Sequence, residues 1–403
     1  MCAQELDRRC FLEQTVTRGA ALTLAGIANA APSLAAEGAA GARRIRVGII
    51  GCGSVSNSYL PHLSKCPYAE LVSTCDIIPE RAVDQAKKFK IPNHYPHIDQ
   101  MLAGEDFDLL VNLTDMQEHE HLNRQAIAAG KHVWSEKPIA NSLSAGQEIL
   151  EQAKAKGVRV WGAPVVVSSP QFAFMAKQIA DGTLGRVACA HAHYGHTGPT
   201  WSSFFYEKGG GSMPDLGVYN LTSLTGLFGP ARSVVAMVNI ITPTRQIDVK
   251  GTIKVTEEDN AMVILEHDHG VLSHMQCGFN YFNPHGHGGG GETRHTISIT
   301  GSHGSMGLVG YDWEPLGVDL ASDKTSELSD KTSEITRHVT DAQGYVWPQG
   351  ASLVAECLAT GKEPLFTPEH ALHVVEIMTA ARESQATGRR IDLQSTFRWP
   401  IIA

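Results

Sequence analysis

Residues 47–60 read VGIIGCGSVSNSYL. An aliphatic, β-branched run that begins with RIRVGII at Arg44 stops at Gly51. Gly53 follows two residues later, and then a helical pattern opens. A strand that turns tightly on glycines into a helix begins a β-α unit. The same grammar continues outward: AELVSTCD then PERAVDQAKKF, FDLLVNLT then EHLNRQAIAAG, KHVW then SLSAGQEILEQAKAKG, and finally VRVWG. Pro79 and Glu80 suit a first helical turn, and a serine start and glycine stop bracket the last helix. Strands alternating with helices of about ten or more residues predict a doubly wound parallel sheet over residues 43–164. After Pro164 one helix, PQFAFMAKQIADG, precedes a series of strands joined by short turns (RVACAHAHYGH, ARSVVAMVNIITP, GTIKVT, NAMVILEHDHG, VLSHMQCGFNYF, HTISITGS). Residues 165–403 therefore predict a second α/β unit built on a large open, mostly antiparallel sheet. Its strands outnumber the helices available to cover them, so one face is expected to go to substrate or to a partner subunit.

The turn carries chemistry as well as topology. Glycines at 51 and 53 let a backbone approach a pyrophosphate, which then rests on the unpaired N–H groups of a helix N-terminus. Ser56 stands where a third glycine is often found. Asp76 ends the second strand about twenty residues on, where a carboxylate accepts from the ribose hydroxyls and repels a 2′-phosphate. These features predict a Rossmann-type unit that binds NAD in preference to NADP through Gly51, Gly53, Ser54, Val55 and Asp76. Arg81 is the one residue that softens the preference. The competing reading is a structural glycine turn with no ligand.

The 403 residues carry a formal net charge of -9, with 42% hydrophobic and 19% charged side chains. That composition is globular, and without a basic surplus it excludes a nucleic-acid partner. Eight cysteines occur without a CxxC pair, so neither a zinc site nor a disulfide framework is indicated. The first forty residues differ. Arg8 and Arg9 precede Phe11, Leu12 and an alanine-rich apolar stretch with small residues at Ala28, Ala30, Ser33 and Ala35. Residues 1–40 read as a twin-arginine export signal and linker, with an amphipathic N-terminal helix as the other reading. The stretch is too short and interrupted for a membrane span.

Four segments together are similar to the Gfo/Idh/MocA oxidoreductases: GIIGCGSVS, TDMQEHEHLNRQAIAAGKHVWSEKP, GGGSMPDLGVYNL and ALHVVEIMTAARESQATGRRIDL. The resemblance runs from Arg44 to Leu393 and implies a Rossmann-type domain, then an α/β domain with a large open sheet, packed into dimers or tetramers. It implies that Lys137 of the Glu-Lys-Pro signature stands beside the nicotinamide and the reacting hydroxyl. Glu136, Leu113, Thr114 and His119 would then lie with the cofactor. An ammonium beside a hydroxyl lowers its pKa and stabilises the alkoxide that expels hydride. The alternative is a surface ion pair of Glu136 with Lys137. Asp215 and Tyr219, one helical turn apart, share a side. Tyr219 takes a position that is usually histidine in the family and tyrosine in some members. Made acidic by Lys137, it would be the general base, with Asp215 orienting sugar or catalytic side chains. The structural alternative makes Asp215 a helix N-cap and Tyr219 core.

Many relatives carry a substrate-side arginine ahead of the position of Pro170. APVVVSSP lacks it, which argues against an anionic substrate. Trp201 and Tyr206 are read either as stacking platforms for a pyranose or as core, and His193, with His191 and His196, as lining the site. His285 and His287 in NPHGHGGGGE read as a glycine-rich loop, so no metal is expected. The expected activity is NAD-dependent oxidation of a secondary hydroxyl of a sugar or glycoside. Export implies a tightly bound cofactor recycled in the protein, because the periplasm offers no pool of free NAD. A redox-neutral NAD-dependent glycosidase and a non-catalytic sugar-binding protein are the alternatives.

Overall fold

The computed structural model describes residues 43–283, 294–323 and 333–402. Residues 1–40, where an export signal is expected, and the loop histidines His285 and His287 lie outside them. The first unit alternates strand and helix as expected: β1 (Ile45–Ile50), α1 (Ser56–Leu63), β2 (Ala69–Cys75), α2 (Pro79–Phe89), β3 (Asn93–Tyr95), α3 (Ile98–Ala103), β4 (Leu109–Asn112), α4 (His119–Ala128), β5 (His132–Ser135), α5 (Leu143–Lys156) and β6 (Val160–Gly162). Its six strands lie in the order β3-β2-β1-β4-β5-β6, all parallel. Val47, Ile49, Leu109, Leu110, Val111 and Val133 are fully buried, which is why these strands read as unbroken apolar runs. The strand order reverses between β1 and β4, the switch point at whose carboxyl ends sheets of this kind bind their ligands.

The second unit begins with α6 (Pro170–Ala180), whose start is capped by Ser169 Oγ accepting the Phe172 N–H at 3.1 Å. Then follow β7 (Val187–Gly195), α7 (Val218–Phe228), β8 (Ala231–Asn239), β9 (Thr244–Ile247), β10 (Gly251–Lys254), β11 (Asn260–His267), β12 (Leu272–Gly278), β13 (His295–Gly301), β14 (Gly304–Tyr311), β15 (Glu314–Ser322) and β16 (Thr336–His338). Helices α8 (Gly350–Thr360) and α9 (Pro368–Thr387) and the short β17 (Ile391–Asp392) close the chain. Nine strands form one sheet in the order β16-β15-β14-β13-β7-β12-β11-β8-β17, antiparallel except where β7 meets β12. The GTIKVT strand, β10, pairs only with β9 in a separate hairpin.

Helices α7 and α9 pack against one face of the large sheet. Ala261, Val263, Leu265 and Met275 point into that face, while the intervening Met262 and Ile264 stay exposed. Cross-strand neighbours Val235 and Met237 extend this apolar patch, and Met237 is 78% exposed. The first unit is completed from far along the chain. Helix α8 packs on β1, β2 and β5, and Gly350 lies so close to the Trp134 ring that no side chain would fit. No helix among the described residues is long and apolar enough to cross a membrane.

Candidate active site

Gly51 leaves β1 with φ 87°, and a Cβ there would stand 2.5 Å from the Leu113 carbonyl carbon and 2.6 Å from the Thr114 nitrogen. Both the backbone angle and the approach of the β4 end demand glycine. At Gly53 a Cβ would meet only the Arg81 guanidinium, at 3.8 Å, so that side of the turn is open. Ser56 is fully buried and its hydroxyl donates to the Gly53 carbonyl at 2.7 Å, a bond that a third glycine would lack. No side chain caps α1, and the Asn57 and Ser58 N–H groups turn back on the Ser54 and Val55 carbonyls at 3.1 and 2.9 Å, so the positive end of the helix still faces the glycine turn. The Asp76 carboxylate accepts the Cys52 N–H through one oxygen and the Ile78 N–H through the other, both at 2.8 Å. Glycine turn and β2–α2 corner are thereby locked together, with lone pairs to spare for ribose hydroxyls. Ile77, 83% exposed beside that carboxylate, offers an apolar face that the sequence reading missed. The turn, the uncapped helix and the anchored carboxylate fit NAD. Gly51, Gly53, Ser54, Val55, Asp76 and Arg81 surround one turn, with Leu113 and Thr114 alongside.

At the end of β5 the chain reaches Glu136, which is buried. Its Oε1 accepts the Tyr59 hydroxyl at 2.5 Å and its Oε2 the Lys137 N–H at 3.1 Å. Tyr59 projects from α1 and packs edge-on against Trp347, ring centres 5.6 Å apart. Burial and the Glu136 charge push this phenol well above the ordinary tyrosine range, which keeps it a donor. Glu136 therefore ties the lysine loop to the nucleotide-binding helix. His119 stands behind the site and not in it, correcting its expected cofactor contact. It is 1% exposed, and its ring nitrogens lie 2.9 Å from the Pro138 and Thr114 carbonyls. Burial pushes the imidazole pKa down against the pull of these two carbonyls, and the neutral ring, with a single N–H, donates to one of them at a time. Asn112, also missed, caps the neighbouring corner by accepting the Thr114 hydroxyl at 2.7 Å and donating to Asn123 at 2.9 Å.

The three residues expected to carry the chemistry meet across the two units. Lys137 Nζ donates to Asp215 Oδ1 at 2.7 Å and to the Asp215 carbonyl at 2.9 Å, and it lies 5.4 Å from the centre of the Tyr219 ring. Asp215 sits inside a π-helical turn, Met213–Gly217, that runs directly into α7, so it is not an N-cap. The turn is held from behind. Glu258 accepts the Met213 N–H at 3.1 Å through its side chain and the Ser212 N–H at 2.9 Å through its carbonyl, while Arg382 on α9 donates to its carboxylate at 3.0 Å. Tyr219 departs from expectation in its acidity. Burial first, then the charges of Glu136, Asp215 and Asp312, push its pKa well above the ordinary value. Burial, with these carboxylates behind it, keeps the phenol neutral.

Of the three expected substrate residues, His193 turns away from the site, Tyr206 is core, and Trp201 stands at the surface beside Phe204, whose carbonyl accepts from Gln117 at 2.8 Å. Along β7, Ala190, Ala192 and Tyr194 point inward, which turns His193, with exposed His191, onto the open face of the sheet. His191 packs there against His274 of β12, ring centres 5.8 Å apart. Tyr206 is core: 1% exposed, with its hydroxyl donating to the Pro199 carbonyl at 2.7 Å and Arg245 over its ring. Trp201, 45% exposed, packs edge-on against Phe204 and Phe205 at the surface. The aromatic residues that do neighbour Tyr219 are Tyr194, at 6.3 Å, and Trp313, at 6.5 Å. Among the described residues no group of three or more His, Cys, Asp or Glu side chains could hold a metal ion.

Two family models match this chain. Residues 45–163 match the oxidoreductase family with an NAD-binding Rossmann fold, and residues 172–307 match the GFO/IDH/MocA C-terminal domain. Among curated proteins, the trans-1,2-dihydrobenzene-1,2-diol dehydrogenase of Bos taurus is 24% identical over 281 residues, covering 67% of this chain and 76% of that one. The scyllo-inositol 2-dehydrogenase (NADP(+)) of Bacillus subtilis is 26% identical over 246 residues, covering 59% of this chain and 71% of the relative. Among solved structures, levoglucosan dehydrogenase in complex with NADH and L-sorbose superposes with a TM-score of 0.74. It is 19% identical, covering 88% of this chain and all of that one (100%), and it bears on the fold alone.

Proposed function

The chain belongs to the GFO/IDH/MocA oxidoreductases, and from that premise we propose that it oxidises a secondary hydroxyl of a sugar or glycoside with NAD that it holds tightly and re-oxidises in place. NAD(P)-dependent oxidation of CH–OH groups is the activity of its class. The observation that carries the finer reading is the bond from Lys137 Nζ to Asp215. Two of the three ammonium hydrogens are taken by Asp215, which leaves the third for a substrate oxygen. When bound, NAD supplies the hydride acceptor. Lys137 polarises the hydroxyl, and as it takes that proton it passes one of its own along the 2.7 Å contact to the Asp215 carboxylate. Tyr219, kept neutral, serves as a hydrogen-bonding wall in place of the tyrosinate base first expected.

Three further parts of the reading rest on more local support. The carboxylate of Asp76 on the ribose side favours NAD over NADP. The apolar patch of Val235, Met237, Met262, Ile264 and Leu272 on the open sheet suits a homodimer or homotetramer. The Arg8–Arg9 pattern supports export to the periplasm, where a captive cofactor has to be recycled by a second carbonyl substrate. Exchange of both arginines for lysine should then leave unprocessed protein in the cytoplasm. Mass spectrometry of the denatured protein, joined to nicotinamide absorbance on mixing with a panel of sugars, tests the whole. Co-released NAD(H) and sugar-driven reduction are the expected results. Protein that carries no nucleotide and reduces none in the presence of any sugar overturns it.

A further inference from the structure

Strands β14 and β15 are joined by a two-residue turn, Asp312–Trp313, with Tyr311 paired to Glu314. The turn is nailed to the helix that carries Tyr219. Asp312 Oδ2 accepts the Asn220 side-chain amide at 3.0 Å and the Ser223 hydroxyl at 2.9 Å, both on α7. Asp312 is 3% exposed, and this anchor fixes where its neighbour stands. The Trp313 indole stacks nearly parallel on Tyr311, interplanar angle 6° and centres 5.5 Å apart, and is backed by Tyr194. Tyr194 and Tyr311 are buried, whereas Trp313 and Tyr219 are each only partly buried. These two partly buried rings are neighbours, their centres 6.5 Å apart. Lys137 Nζ and the Trp313 ring both lie within 6.5 Å of the Tyr219 ring, from centre to centre or to the charged nitrogen. Tyr219 thus has the ammonium and the indole as its neighbours.

We infer that Trp313 is a substrate subsite, an aromatic platform that receives the apolar C–H face of a cyclic polyol or pyranose while Lys137 engages its hydroxyl, and that Asp312 is the residue that positions it. The inference deepens the proposed oxidation of a sugar hydroxyl and rests on it. An aromatic ring gains its contact from the flat C–H face that a ring substrate presents and an open-chain polyol does not. The hairpin tip thereby selects ring substrates over acyclic ones, the task first assigned to Trp201 and Tyr206.

The test compares wild type, Trp313→Ala and Trp313→Phe as NAD-loaded enzymes, with methyl α-glucopyranoside and myo-inositol as ring probes and ribitol as the open-chain probe. Trp313→Ala should raise KM for the ring substrate on the order of tenfold, with kcat and the ribitol kcat/KM little changed, and Trp313→Phe should restore most of the loss. Equal loss on ring and open-chain substrates marks a structural role and overturns the inference, as does an unchanged ring KM. Saturation-transfer NMR of the ring probes, run on the same three proteins, separates the two readings. Ring binding that Trp313→Ala abolishes, without turnover by any of them, sinks the oxidation and keeps the platform. Ring binding that survives Trp313→Ala sinks the platform alone, and absence of both binding and turnover in wild type sinks both.

Discussion

Asp312→Asn should stabilise the protein near neutral pH and lose that advantage in acid. The carboxyl is buried, and burial lifts its pKa from 3.8 to about 6 against the opposing pull of Ser223 and Asn220. The folded protein thus holds this proton more tightly than the unfolded chain. Stability from the group is fully present below the unfolded value and is lost as pH rises through the folded one. Across that window the loss amounts to roughly 3 kcal/mol, taking about 1.4 kcal/mol for each tenfold change in proton affinity. Asparagine cannot ionise and keeps one oxygen for its two donors. The difference in unfolding free energy between variant and wild type should therefore shift toward the variant by roughly 3 kcal/mol between about pH 4 and about pH 7. Urea unfolding followed by tryptophan fluorescence at several pH values measures it. A difference that does not vary with pH would show that Asp312 titrates in the fold as it does in the open chain, and the anchoring argument would lose its electrostatic half.

Three other outcomes follow from the geometry. Tyr59→Phe removes a donor to the buried Glu136 carboxylate and should cost about 1.5–3 kcal/mol of stability in chemical unfolding; a loss under about 0.5 kcal/mol would mean the bond is not formed. Asp76→Ser should weaken NAD binding by roughly 1–3 kcal/mol in calorimetry and improve tolerance of NADP, and a wild type that already prefers NADP contradicts the role given to Asp76. Met237→Glu sets a charge in the exposed apolar patch and should lower the oligomeric state measured by light scattering; a variant that assembles like wild type removes the open face from the interface.

The first unit was almost wholly legible because its central strands β1, β4 and β5 are buried on both faces and helices α2 and α5 carry their own start and stop. Helix α2 spans Pro79–Phe89 as expected, and α5 runs between its Ser142 cap and Gly157. Only β3 and α3, too short to show a period, escaped. In the second unit the alternating strands β11 and β12 were found, while β14 and β15 were not. Gly307, Gly310, Pro315 and Gly317 break their alternation, and Gly310 (φ 81°) and Gly317 (φ 153°) sit beside a register shift that pleat counting cannot foresee. Losing those strands hid Asp312 and Trp313. At the site, Lys137, Asp215 and Tyr219 were legible because contiguous motifs carry them. His193 failed by parity: alternation showed that 191 and 193 share a face but not which face, although Ala190, Ala192 and Tyr194 marked the inward set. Tyr206 failed because an aromatic beside a triple glycine reads alike as platform and as core.

What the Lys137 ammonium faces decides the mechanism. Lys137→Met keeps the side chain's length and removes its charge, so folding and NAD loading should persist. Stopped-flow absorbance of the bound nicotinamide, on mixing with an oxidisable sugar, reads the step directly. The expected result is hydride transfer slowed on the order of a hundredfold or more, with Tyr219→Phe adding little to it because the two residues act on one oxygen. A Lys137→Met enzyme that reduces its cofactor at the wild-type rate would contradict the account, since Asp215 would then be holding a lysine that takes no part in the chemistry.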